Sequence, residues 1–272
     1  MAPLIDVEEL AALLGSGRPV TLLDVRWALG RSDGREQFAA GHLPRAAYVD
    51  LDTELAGPPG AGGRHPLPTA PLLTAAMQRA GVSADVPVVA YDGGAGFGAA
   101  RLWWVLTDAG HVDVRVLDGG YAAWVAAGGE VETGSAAPEP GTFVAEPGQR
   151  ASVDADGVAA HLAASGAVRD VRAPERFSGE QESVDPVAGH VPGATNLPVG
   201  GLTGPDGFAS VQALRERFAG VRPGDVLMCG SGVTAAAAML AGEQAGIEGL
   251  VLYPGSWSDW ITDPTRPVAQ GA

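Results

Sequence analysis

The sequence predicts an α/β protein of two tandem domains, each a parallel sheet flanked by helices. Three observations carry that expectation. Short apolar runs alternate with helical patterns, one set of motifs occurs twice in the same order, and a Pro/Gly-rich stretch lies between the two occurrences. In the first half, residues 20–25, 86–91 and 114–117 are apolar runs bounded by Gly, Pro or Asp, the pattern of buried strands. Residues 72–80 and 99–109 carry helical spacing between them. The second half repeats this with strands expected at 167–171, 225–229 and 249–253. Its helices are expected at 154–164, 210–219 and 233–245. Strands that alternate with helices pair in parallel, because each crossover returns the chain to the same end of the sheet.

The repeat is read from four motif pairs. T-L-L-D-V-R at 21–26 matches A-V-R-D-V-R at 167–172, and G-H-L-P-R-A-A at 41–47 matches G-H-V-P-G-A-T at 189–195. V-V-A-Y-D-G-G at 88–94 matches V-L-M-C-G-S-G at 226–232, and V-L-D-G-G-Y-A-A-W at 116–124 matches V-L-Y-P-G-S-W-S-D-W at 251–260. The offsets are 146 for Asp24 to Asp170, 148 for His42 to His190, 137 for Asp92 to Cys229 and 135 for Gly120 to Gly255. Four ordered matches indicate a duplicated domain. Residues 134–149 have the Pro and Gly density of a linker, which gives domains at 1–133 and 150–272.

Composition narrows the partners. Hydrophobic residues make up 46% of the 272, ample for two cores, and the net charge is -15 with all 17 basic residues Arg. Such a surface repels phosphate backbones and anionic lipid, so neither nucleic acid nor a membrane is expected as a partner. An anionic substrate would need a local positive site. The N-terminus lacks the basic and apolar regions of a secretory signal, and no apolar run reaches the ~18 residues of a membrane span. A lone cysteine suits a reducing compartment, so the expected location is the cytoplasm.

The chemistry concentrates in D-V-L-M-C-G-S-G-V-T-A-A-A-A-M-L at 225–240. Cys229 is expected at the carboxyl end of a strand, where open α/β sheets place ligands. Gly230 and Gly232 allow a tight turn, and the N–H groups of Val233 and Thr234 open an Ala-rich helix. Inward-facing amides and a positive helix end favour a thiolate over a thiol, and would hold a persulfide as an anion.

C-G-S-G-V-T resembles the active-site loop of mercaptopyruvate sulfurtransferases, within the tandem-domain rhodanese-type sulfurtransferases. L-D-G-G-Y at 117–121, G-H-[LV]-P and G-S-W-S-D-W at 255–260 extend the resemblance from about residue 4 to 262. It implies two packed rhodanese-like domains with the site between them, an inactive first copy and a persulfide on Cys229. Asp92 stands in the first half where Cys229 stands in the second, and a carboxylate cannot accept sulfane sulfur.

The resemblance further implies that Ser231 works with a His and an Asp from the first domain, for which the best matches are His42 and Asp33. Arg176 in A-P-E-R-F matches an Arg that holds the substrate carboxylate, a task suited to the guanidinium fork. Two departures stand out. No second Arg occurs in S-V-D-P-V-A at 183–188, and Phe97 replaces an expected aromatic hydroxyl. Arg45 and Arg101 are the candidates to compensate.

The expected donor is therefore a small anionic sulfur compound, 3-mercaptopyruvate, with thiosulfate as the alternative. The acceptor is a thiol, such as a thioredoxin-like protein, or cyanide. A non-catalytic persulfide carrier is a third reading. Cysteine phosphatases and arsenate reductases, which share the fold, need an Arg six residues after the nucleophile, where this chain has Ala235. His65, His111 and His161 lack ligand spacing, so no metal and no cofactor is expected. Trp103, Trp104, Trp257 and Trp260 are assigned to packing, and Asp118 and Asp259 to turns or caps.

Overall fold

The computed structural model describes residues 2–135 and 138–271. Ala136 and Ala137 of the expected linker, with Met1 and Ala272 of the expected domains, lie outside the described residues. The chain divides into two compact units. One comprises Met1–Ala56, Pro68–Arg150 and Thr203–Phe208; the other comprises Gly57–Leu67, Ala151–Leu202 and Ala209–Ala272.

The first unit runs β1 (Leu4–Ile5), α1 (Val7–Gly15), β2 (Thr21–Asp24), α2 (Gly34–Ala40), β3 (Ala47–Tyr48), α3 (Leu51–Glu54), α4 (Ala70–Arg79), β4 (Val88–Tyr91), α5 (Phe97–Asp108), β5 (Val114–Leu117) and α6 (Gly120–Ala126). Its sheet has the order β1-β5-β4-β2-β3, all parallel. The central strand β4 is buried at every position, as a parallel sheet covered on both faces requires. Helix starts follow local chemistry: Asp6 and Glu9 form a capping box on α1, and the Thr69 hydroxyl accepts from Leu72 N–H on α4.

The second unit runs α7 (Ala155–Ala163), β6 (Val168–Asp170), α8 (Pro174–Ser178) and β7 (Thr195–Asn196). The antiparallel hairpin β8 (Thr203–Gly204) and β9 (Gly207–Phe208) belongs to the first unit. The second unit then continues with α9 (Val211–Arg217), β10 (Val226–Met228), α10 (Val233–Gln244), β11 (Val251–Leu252) and α11 (Ser256–Trp260). Its parallel sheet has the order β11-β10-β6-β7, which repeats β5-β4-β2-β3. The counterpart of β1 shrinks to one bridge, Ser152 with Leu252. Every strand and helix expected from the apolar pattern coincides with an observed one, whereas α1, α2, α3, α6, α8 and α11 and the two-residue strands other than β11 were not anticipated.

The duplicated D-V-R and G-H-x-P motifs build the same latch twice. Arg172 donates to both oxygens of Asp170 and, at 2.7 Å, to the Gly189 carbonyl, with its guanidinium 4.8 Å over the Trp257 ring. Arg26 does this to Asp24 and Gly41, over Tyr121 at 4.4 Å. The adjacent histidines match as well. His42 stacks on Phe38 at 3.9 Å with Nδ1 bonded to the Phe38 carbonyl, and His190 stacks on Phe177 at 3.8 Å with Nδ1 bonded to its carbonyl. A buried guanidinium paired to a carboxylate and a carbonyl fixes how the G-H-x-P turn meets the sheet.

Four expectations need revision. The domain reading places all of 1–133 together, but Gly57–Leu67 groups with the second unit and Thr203–Phe208 with the first. The 134–149 stretch has no regular structure among its described residues, yet it is tied down. Gly141 N–H bonds Gln78 O, Phe143 N–H bonds Val82 O, Ala145 N–H bonds the Thr74 hydroxyl, and Phe143 is buried. Asp118 and Asp259 reach further than a turn: Asp118 accepts from Phe208 N–H, and Asp259 from the Tyr253 hydroxyl at 2.6 Å. The motif register at the fourth pair is also one residue longer. Tyr121 N–H bonds Asp92 O as Trp257 N–H bonds Cys229 O, so Ser256, not Gly255, is the counterpart of Gly120.

Candidate active site

Cys229 follows directly on β10, buried to 2% exposure, and its N–H and Sγ are both engaged. Gly232, the N-cap of α10 at φ 78°, donates its N–H to Sγ at 3.1 Å. A Cβ there would lie 2.3 Å from the Pro254 carbonyl, so only glycine closes this turn. The first intrahelical bond of α10 runs from Ala236 N–H to Gly232 O, which leaves the N–H groups of Val233, Thr234 and Ala235 as the helix's unpaired first turn.

Ser256 is a site residue that the sequence reading missed. Its hydroxyl accepts from Cys229 N–H at 3.0 Å, bonds the Tyr253 carbonyl at 2.8 Å and lies 4.0 Å from Sγ. It holds this place with φ 55°, a left-handed conformation in which its counterpart Gly120 sits at 54° without a Cβ. Such a conformation costs a non-glycine residue roughly 1–2 kcal/mol, so the hydroxyl is held at a measurable price in strain.

The serine of the loop has a different partner from the one expected. Ser231 Oγ lies 2.8 Å from Nδ1 of His65. His42, by contrast, has its Nδ1 on the Phe38 carbonyl and repeats the structural arrangement of His190. Asp33 is ion-paired with Arg31 at the surface, and that guanidinium holds its carboxyl below the usual carboxylate range. The expected Ser231–His42–Asp33 arrangement is thus replaced by Ser231 with His65. His65 arrives on Gly57–Leu67, which is pinned to the start of α11. Arg64 N–H donates to the Ser258 hydroxyl, and a Cβ on Gly63 would lie 2.7 Å from that oxygen and 2.8 Å from the Gly255 carbonyl.

Arg176 lies beside the cysteine loop. A Cβ built on Gly230 would lie 3.6 Å from both of its terminal nitrogens and 3.2 Å from Nη2 of Arg64. Two guanidinium groups therefore face the residue next to the cysteine. Arg176 is held from behind by Glu182 and by Asp185 at 2.8 Å, and Arg64 is held by the other oxygen of Asp185 at 2.5 Å. Burial pushes the Glu182 carboxyl up, but Asp185 N–H, the Arg176 guanidinium and Val184 N–H outweigh it and hold the group below its ordinary range. Of the proposed compensating cations, Arg101 lies fully buried within α5 and donates to the Leu55 carbonyl, while Arg45 is exposed in the G-H-L-P turn. Phe97 opens α5.

The corresponding loop of the first unit makes an internal comparison. Asp92 Oδ1 accepts from Gly94 and Gly96 N–H, and Oδ2 from Gly98 and Ala99 N–H. Burial pushes this carboxyl up from its ordinary value while the four amides pull against that shift. From Asp92 to its helix N-cap Gly96 the loop is one residue longer than from Cys229 to Gly232. The β8–β9 hairpin covers it: Thr203 bonds the Ala95 carbonyl, and a Cβ on Gly96 would lie 2.6 Å from the Phe208 ring.

A strand-end cysteine in an amide turn, on a doubled parallel sheet, defines the class. The chain belongs to the rhodanese family: the Rhodanese-like domain description matches residues 6–127 and 154–263. It is an enzyme of the sulfurtransferase class. Among its relatives, SseB of Mycobacterium tuberculosis, which bears the name of a thiosulfate sulfurtransferase, is 45% identical over 98% of this chain and 97% of its own length. The 3-mercaptopyruvate sulfurtransferase of Rattus norvegicus is 32% identical over 98% and 95% respectively. Among solved structures, the 3-mercaptopyruvate sulfurtransferase from Leishmania major superposes with a TM-score of 0.85 at 30% identity, over 97% of this chain and 75% of that one. No helix among the described residues is long and apolar enough to cross a membrane.

Proposed function

We propose that the enzyme takes sulfur from 3-mercaptopyruvate onto Cys229 and delivers the persulfide sulfur to a thiol, such as that of a thioredoxin-like protein, or to cyanide in the cytoplasm. The single observation that carries the choice of donor is the Ser231–His65 pair on one side of the loop with the Arg176 guanidinium beside Gly230. A keto acid needs both a carboxylate anchor and a proton source; thiosulfate needs no proton source. The name carried by the M. tuberculosis relative keeps thiosulfate as the second reading.

In the first half-reaction the Cys229 thiolate attacks the donor sulfur, the C–S bond breaks, and its electron pair stays on carbon as the enolate. Sulfur is thereby oxidised and carbon reduced. Ser231 donates its proton to the enolate oxygen and is reprotonated through His65, a relay of the Ser–His kind. The enol tautomerises to pyruvate as its O–H proton is exchanged for one on carbon, and the donor's S–H proton leaves the new persulfide, so the products are pyruvate and the Cys229 persulfide anion. The first-turn amides of Val233, Thr234 and Ala235 are suited to that outer sulfur; Thr234 and Ala235 stand where Gly98 and Ala99, counted from their own N-cap, donate to the second oxygen of Asp92. In the second half-reaction a thiol takes the outer sulfur as a hydropersulfide, or cyanide takes it as thiocyanate, and the thiolate returns. The first unit acts as an inactive domain, since its loop carries a carboxylate in place of the nucleophile.

The test compares kcat/KM for the two donors in wild type, His65→Asn and His42→Asn. Wild type favours 3-mercaptopyruvate. Loss of the His65 relay lowers kcat with that donor by about 10²-fold and leaves thiosulfate within about threefold, the size expected for one general acid. His42→Asn lowers thermal stability and leaves kcat near wild type. A wide preference for thiosulfate, or equal kcat losses at both histidines, overturns this reading.

A further inference from the structure

We infer that the second unit carries a small-molecule site for a cationic aromatic amine, in a cavity that the first unit fills with its own side chains. The cavity measures about 760 Å³, a size typical of ligand pockets. Pro174, Phe177, His190, Ala194 and Asn196 line it, and none of its lining residues belongs to the cysteine loop. The repeat shows what is missing. Strand register sets Asp24 beside Tyr48 in the first unit and Asp170 beside Asn196 in the second, so Asn196 stands where Tyr48 stands. Tyr48 is buried, with its ring 5.8 Å from that of Phe38 and the Arg35 guanidinium 4.8 Å from its centroid. Phe177 is the twin of Phe38 under the stacked histidine. Beside it, Asn196 turns its amide onto the Asp170 and Arg172 carbonyls, at 2.9 Å each. Pro174 stands three residues before Phe177, as Arg35 stands three before Phe38. The space next to Phe177 therefore lacks both the ring and the cation of the first unit.

A ligand that supplies both completes the arrangement. Its ring packs against Phe177 in the offset or tilted geometry that aromatic pairs favour. Its charge is set by the mouth of the cavity. Glu175 and Glu180 line it, are exposed, and have no ion-pair partner among the described residues. No arginine is among the lining residues, and the chain carries a charge of -15, so the field draws a cation and repels an anion. His190 adds a directed contact. It is only 6% exposed, and its Nδ1 lies 2.8 Å from the Phe177 carbonyl, which can only accept. Nδ1 therefore carries the proton, and Nε2 of the neutral ring is an acceptor with no protein partner among the described residues. An ammonium or a phenolic O–H can donate to it.

The experiment titrates the full chain with tyramine by isothermal calorimetry, beside probes that each lack one feature: p-cresol has no charge, butylamine no ring, and 4-hydroxyphenylacetate the opposite charge. Tyramine, a ligand of about ten non-hydrogen atoms, binds a single site with Kd near or below about 1 mM, and each other probe binds at least about tenfold more weakly. Asn196→Tyr, which places the first unit's ring in the cavity, abolishes tyramine binding and leaves sulfur transfer within about twofold of wild type. Glu175→Gln combined with Glu180→Gln, both at exposed positions, weakens tyramine by about threefold or more and leaves p-cresol unchanged. The probe ranking and this double variant decide the matter even where Asn196→Tyr does not fold. Absence of saturable tyramine binding, equal or tighter binding of 4-hydroxyphenylacetate, or undiminished tyramine binding in the double variant overturns the inference. So does full tyramine binding by an Asn196→Tyr protein that retains sulfur transfer.

Discussion

Replacing Cys229 with Ser lowers sulfur transfer by at least about 10⁴-fold with every donor, to the background of the uncatalysed reaction. A hydroxyl cannot carry sulfane sulfur, and no other cysteine exists in the chain. The fold is retained, because Ser fits the same buried turn and can still accept the Gly232 N–H. The informative extension is Asp92→Cys in the Cys229→Ser background. A cysteine there sits in a loop with abundant amides, yet it does not restore transfer. The loop to Gly96 is one residue longer, and the hairpin and Phe208 lie over it. Steady-state transfer and intact mass of both variants check this. Recovery of more than a few per cent of wild-type activity in the double variant shows that the two loops are interchangeable, and the account of the inactive copy fails.

Arg172→Ala is expected to lower the stability of the second unit by about 3–5 kcal/mol, because it strands a buried carboxylate without its partner. Asp170 is fully buried and takes its charged hydrogen bonds from Arg172, which also secures the Gly189 carbonyl and underlies Trp257. The thermal midpoint should fall by on the order of 10 °C. Adding Asp170→Asn with Met at position 172 removes both charges and recovers part of the loss, since an uncharged pair has no stranded ion. Calorimetry of the single and double variants decides it. If both lose the same amount, the latch acts through packing alone and the ion pair contributes nothing.

That latch explains what the sequence could and could not disclose. The doubled D-V-R and G-H-x-P motifs are legible because each half needs the same Arg–Asp–carbonyl geometry, so the fold follows from the repetition. The same legibility misdirects the search for a catalytic histidine. His42 stands in the repeated G-H-x-P motif, yet His190 stands in its twin and both stack on a Phe. The residue paired with Ser231 lies where the repeat breaks. The offset drops from 148 to 137 between the His pair and the Asp92–Cys229 pair, so the first half carries a net eleven extra residues. Gly57–Leu67, with Arg64 and His65, is the segment that groups with the second unit. An insertion rich in Gly and Pro has no periodicity, so its destination is set by tertiary contacts such as Gly63 on α11, and no local pattern encodes those. Ser256 was hidden for a related reason: its strained backbone is visible only as a dihedral angle, while its neighbours read as a packing motif.

The most direct test of the central claim, that Cys229 carries sulfur between two half-reactions, is the mass of the intact protein after incubation with donor and no acceptor. The account predicts a gain of one sulfur atom, mapped to the peptide containing Cys229, released with stoichiometric pyruvate and lost when a thiol acceptor is added. A protein that releases pyruvate without gaining that mass, or that holds the sulfur unchanged in the presence of acceptor, contradicts it.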